Sequence, residues 1–142
     1  MYKVVYYARV STEEEKQLNA LKTQCEENEE FIKKQKDWIL VDKYIDEGKS
    51  ATTTQGRYDF ERLLNDMQTD KFDIIVIKQI DRGWRNTLDW KIFEHEVYKN
   101  KKRLFIRLRN DFYDIEDDGS YIATNMDAMF DEWFSRNLSR KM

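Results

Sequence analysis

Residues 72–77 read Phe-Asp-Ile-Ile-Val-Ile. Four successive β-branched residues without polar alternation predict a strand buried on both faces, as in the centre of a parallel sheet. Its neighbours in sequence support that reading. Before it, residues 57–67 form an amphipathic helical pattern through Phe60, Leu63, Leu64 and Met67. After it, residues 88–98 read as a helix and 104–108 as another strand. Nearer the N-terminus, residues 4–10 are β-branched and aromatic and end at Ser11-Thr12. Ser11 with Glu14, or Thr12 with Glu15, fits a capping box. The helix so begun carries Leu18, Leu21, Cys25, Phe31 and Ile32 on one side, and residues 38–45 read as a strand.

The order is therefore β-α-β-α-β-α-β. That alternation predicts an α/β fold: a single three-layer domain, residues 1–142, with a mainly parallel central sheet flanked by helices on both faces. No repeat or linker interrupts it. From residue 121 a last helix is expected, with Ile122, Met126, Met129, Phe130, Trp133 and Leu138 spaced along it. It has two readings, a helix on its own sheet or a helix for a partner. The sheet already has helices enough, so Met126, Met129, Phe130 and Trp133 are read as an oligomer interface on a C-terminal oligomerisation helix.

Composition excludes several classes. Four glycines and no proline in 142 residues rule out collagen, linkers and a loop-rich fold. Cys25 is the only cysteine and His95 the only histidine, so neither a disulfide nor a cysteine-based zinc site is expected, and a reducing cytoplasm fits. No apolar run approaches the ~20 residues of a membrane span. The opening MYKVVYYARV lacks the apolar core of a signal peptide.

The net charge of -3 argues at first against a nucleic-acid binder. Its distribution weakens that argument. Residues 78–109 hold ten Lys/Arg against four Asp/Glu, whereas residues 110–132 hold eight Asp/Glu and no Lys/Arg. Two surfaces of opposite sign would hide in that average, although two solvated faces explain it equally well.

In open α/β sheets ligands bind beyond the carboxyl ends of the strands. Three polar clusters fall there. The first is Tyr7, Arg9, Ser11 and Thr12. The second is Asp46, Gly48 and Ser50, with Arg57 opening the next helix. The third is Lys78, Asp81, Arg82, Arg85 and Asn86. Singly, each has an ordinary explanation: a helix cap, a turn, or surface arginines paired with Asp81 or Asp89. Together they bring four arginines and a serine to one edge. Arginine forks match phosphate oxygens, and a serine beside them could attack a phosphodiester.

These stretches resemble the serine site-specific recombinases, the resolvase/invertase group. Tyr7-Ala8-Arg9-Val10-Ser11-Thr12 is similar to the family's opening motif, and Asp46-Glu47-Gly48-Lys49-Ser50 to its second. Arg57 with Phe60 and Leu63-Leu64 is similar to the third, and residues 78–86, holding Asp-Arg-x-x-Arg, to the fourth. The long second loop and the ending from Glu132 look most like the large serine recombinases of mobile elements.

The resemblance implies that Ser11 attacks a DNA phosphate, holds the 5′ end as a phosphoserine and frees a 3′ hydroxyl. Arg9, Arg82 and Arg57 would bind the phosphate, Arg85 would assist at the leaving oxygen, and Asp81 would orient the arginines. Tyr7, Asp46, Ser50 and Gln24 would support the site. Double-stranded DNA is the implied partner, cut by dimers that pair into tetramers. Neither cofactor nor metal is implied, and the DNA-binding region is expected beyond residue 142. Two departures stand out: Tyr58 follows Arg57 where proline is usual, and Ala51 replaces a common glycine. Two rival readings remain. One is a recombinase-like oligomerisation module that no longer cuts. The other is a receiver-like phosphate-binding domain, although no G-x-G-x-x-G or Walker pattern is found.

Overall fold

Five strands join one sheet in the order β2-β1-β3-β4-β5, in a computed structural model that describes residues 1–9, 15–46, 58–80 and 87–113. The strands are β1 (Tyr2–Arg9), β2 (Trp38–Asp46), β3 (Ile74–Ile77), β4 (Arg103–Ile106) and β5 (Asp111–Tyr113). Strands β1 to β4 are mutually parallel, and β5 returns antiparallel to β4. The helices are α1 (Glu15–Lys34), α2 (Tyr58–Asp66) and α3 (Leu88–Lys99). The predicted alternation thus stands, with β5 added. The oligomerisation helix expected from residue 121 lies outside the described residues.

Successive residues of β1 bury on opposite faces, as a central strand requires. Val4, Tyr6 and Ala8 join Ile74, Val76 and Phe105 under α1, against Leu21 and Ile32. Val5 and Tyr7 join Tyr44, Ile75, Ile77, Leu104 and Ile106 on the other face. There α2 supplies Phe60, Leu63 and Leu64, and α3 supplies Trp90, Phe93 and Val97. One helix on one face and two on the other make the three layers.

The edge strand β2 contains a bulge. Val4 pairs with Leu40 and Val5 with Asp42, so Val41 is an extra residue. The insertion shifts the alternation by one. Leu40 packs toward α1, while Asp42, Tyr44 and Asp46 turn toward α2. Without Val41 the parity of β2 would point Asp46 away from α2.

Strand β4 stops at Ile106 rather than at residue 108, because Arg107–Arg109 wind into a 3-10 turn. Asn110 ends the turn at φ 51, a left-handed conformation that asparagine tolerates. The Leu108 N–H donates to the Lys78 carbonyl at 3.0 Å, which ties this turn to the end of β3. Phe105 and Phe112 meet each other edge-on at 5.0 Å. Trp38 also contacts Phe105, at 5.2 Å, so the rings are core. Among the described residues no helix is long and apolar enough to cross a membrane.

Candidate active site

The four parallel strands end on one edge, and the described members of all three polar clusters stand there. Arg9 is the last residue of β1 and pairs in register with Asp46, the last residue of β2. Lys78 follows the end of β3. Ser11 belongs to a segment running from the end of β1 to the start of α1. Ser50 and Arg57 belong to the β2–α2 connection, and Asp81, Arg82 and Arg85 to the β3–α3 connection. These six, and Met126, Met129, Phe130 and Trp133, lie outside the described residues. Gln24 is half-buried on α1, in the layer across the sheet from Tyr7 and Asp46.

Tyr7 and Asp46 are both buried, at 4% and 7% exposure. The Tyr7 hydroxyl donates to Asp46 Oδ2 at 2.6 Å. Two further donors are backbone N–H groups of the first turn of α2: Asp59 to Oδ1 at 3.1 Å and Phe60 to Oδ2 at 3.2 Å. A helix start leaves such N–H groups without intrahelical partners, and a carboxylate there is favoured by hydrogen bonding and by the helix dipole. The Phe60 ring also meets that of Tyr7 at 5.8 Å.

Burial dominates the acid–base properties of this pair. It pushes the Asp46 carboxyl up to about 6, against the lowering effect of the three donors. It pushes the Tyr7 phenol well above its ordinary value, with the Asp46 charge adding to the rise. Arg9 acts on the phenol in the opposite sense, and Asp89, in the first turn of α3, raises it. The starts of α2 and α3 and the end of β1 therefore share one electrostatic environment.

Sequence reasoning missed Asp59. Its carboxylate Oδ2 accepts the Ile45 N–H at 2.7 Å, while its own N–H is held by Asp46. The ends of the β2–α2 connection are thus bound reciprocally. The only sequence signal was an acidic residue in a helix first turn, which is too common to single out.

Beside this clasp, Asp42 of β2 forms an ion-pair network with Arg62 and Asp66 of α2 and with Lys71. Arg62 Nη1 meets Asp42 at 2.8 Å, and Lys71 Nζ meets Asp42 at 2.5 Å and Asp66 at 3.1 Å. The Arg62 guanidinium lies 4.2 Å from the Tyr44 ring centre, and the Tyr44 hydroxyl donates to Asp66 at 2.6 Å. These cations are committed to structural partners. Among the described residues, no three His, Cys, Asp or Glu side chains group as a metal would require.

Comparison with known proteins gives a consistent result. The family model described as "Resolvase, N terminal domain" matches residues 4–142. No curated protein matches the chain. Among solved structures, the N-terminal catalytic domain of TP901-1 integrase is 24% identical with a TM-score of 0.63, covering 96% of this chain and 98% of that one. A resolvase family site-specific recombinase from Streptococcus pneumoniae is 22% identical with a TM-score of 0.66, covering 99% and 93%. The C-terminal catalytic domain of ISC1926 TnpA, an IS607-like serine recombinase, is 21% identical with a TM-score of 0.55, covering 74% and 70%. These likenesses are likenesses of fold.

Proposed function

The chain belongs to the resolvase N-terminal domain family, and from that premise we propose that it is the strand-cutting domain of a serine recombinase. Ser11 Oγ attacks the phosphorus of a DNA phosphodiester. The bond to the 3′ oxygen breaks, that oxygen takes up a proton, and the 5′ phosphate remains esterified to Ser11. In religation a 3′ hydroxyl attacks the phosphoserine and the serine leaves. One ester replaces another at each step, so the bond energy is conserved and no nucleotide is consumed.

Arg9, Arg57 and Arg82 bind the phosphate oxygens, whose charge grows in the transition state. Arg85 acts at the leaving oxygen, and Asp81 orients the arginines. Tyr7 and Asp46 support the site from the strand ends, Ser50 belongs to it through the β2–α2 connection, and Gln24 through α1. Met126, Met129, Phe130 and Trp133 join subunits into dimers and tetramers on double-stranded DNA.

The observation that carries this reading is topological. The segments holding Ser11, Arg57 and Arg82 all leave the carboxyl edge of one parallel sheet, beside the register pair of Arg9 and Asp46. The test uses the full-length protein and a nicked duplex in which the cut end diffuses away. A covalent protein–DNA adduct is expected, and Ser11→Ala is expected to lack it. An adduct that survives the substitution overturns the reading.

A further inference from the structure

We propose that Asp59 is a positioning residue for the phosphate site, holding Arg57 in place through its reciprocal clasp with Asp46; this role rests on the recombinase reading. Arg57 immediately precedes α2, whose first turn begins at Tyr58. Any group fixing that turn against β2 therefore fixes where the Arg57 backbone starts. Two hydrogen-bonded connections do so in opposite directions. Asp46, at the end of β2, accepts the Asp59 and Phe60 N–H groups at 3.1 and 3.2 Å. Asp59, in the helix, accepts the Ile45 N–H at 2.7 Å. Among the described residues β2 is an edge strand, with no strand on its outer side to receive the Ile45 N–H.

The charges show that attraction is not the reason for this arrangement. Asp46 and Asp59 repel, and that repulsion contributes to the raised Asp46 titration. The two carboxylates face each other because each meets a backbone donor directionally. The consequence is that the two described ends of the β2–α2 connection are bound to each other, with Arg9 the register partner of Asp46 on β1. Arginines from two different strand ends must meet one phosphate, and a misplacement of about 1 Å can cost roughly a hundredfold in rate.

The geometry separates acceptor placement from charge. Asp59→Asn keeps an acceptor at the same reach. Asp59→Glu keeps the charge at the helix start but moves the acceptor by one methylene. Asp59→Ala removes both. In the full-length protein, at saturating DNA, the rate of Ser11 adduct formation is expected within about threefold of wild type for Asp59→Asn. It is expected to fall at least tenfold for Asp59→Glu and Asp59→Ala, with DNA affinity unchanged. If Asp59→Ala does not fold, the Glu and Asn pair carries the comparison. Wild-type rates in Asp59→Glu, or a loss in Asp59→Asn as large as in Asp59→Glu, overturn the positioning role. A wild-type protein that forms no adduct overturns the recombinase reading, and this role with it.

Discussion

The phenol of Tyr7 and the carboxylate of Asp46 meet at 2.6 Å across neighbouring strands, both buried at the carboxyl edge of the sheet. One hydrogen bond thereby links β1, which leads to Ser11, with β2, which leads to Ser50 and Arg57. The same carboxylate binds the first turn of α2. Asp46 is therefore a polar joint that connects β1, β2 and α2.

Removing the phenol tests the joint. The Tyr7 hydrogen bond lowers the Asp46 titration, so Tyr7→Phe should move its midpoint upward from about 6. The loss of a buried hydrogen bond to a carboxylate should cost about 1–3 kcal/mol. Carboxyl carbon NMR measures the first, and urea unfolding the second. A midpoint that stays or falls contradicts the assigned bond.

Asp46 also predicts how stability varies with pH. Its folded-state value of about 6 lies above the ordinary 3.8, so between those values the folded protein binds more protons than the unfolded chain. Stability from this group therefore rises as pH falls from 7 towards 4, by a few kcal/mol at most. Asp46→Asn should flatten that part of the profile. Denaturant midpoints measured from pH 4 to 7 check it.

Asp42 acts in the opposite sense at lower pH. Burial pushes its carboxyl up, but hydrogen bonds from Lys71, the Lys43 N–H and Arg62 prevail and hold it at about 2. A depressed carboxylate contributes stability that is present above pH 4 and lost as pH falls towards 2. With its side chain 26% exposed, the contribution is on the order of 1–2 kcal/mol. Asp42→Asn should lower stability at pH 7 by that amount and reduce the loss below pH 4.

Much of this architecture is legible in the residues. β3 lies within the run at 72–77, and Leu21, Cys25, Phe31 and Ile32 of α1 and Phe60, Leu63 and Leu64 of α2 pack on the faces their spacing predicts. What escaped had physical causes. A period-two pattern cannot register the extra Val41 that reverses the parity of β2, because exposed β-branched residues occur on any edge strand. β5 has three residues, too few for a periodicity, and is held by pairing with β4. Asp46 is singled out by its motif, and the structure shows it buried and bonded to Tyr7. Asp59 is not singled out, because its partner, the Ile45 N–H, is a backbone group fourteen positions away.

The turn after β4 gives a prediction away from the site. Arg107 Nε donates to Asn28 Oδ1 at 2.8 Å, and Asn28 is fully buried on α1. Arg107 Nη1 also meets Glu27 at 3.1 Å. Arg107→Ala would leave the Asn28 carbonyl buried without its donor, and should cost about 1–3 kcal/mol. Asn28→Leu in the same background should recover part of that loss, measured by a double-mutant cycle.

The central claim is that Ser11 carries the DNA. It is tested most directly by trapping the protein on a nicked duplex, digesting the adduct and locating the linkage by mass spectrometry. A phosphodiester remnant is expected on Ser11 and on no other residue. A linkage at Ser50, at a tyrosine, or at any side chain other than Ser11 would contradict it.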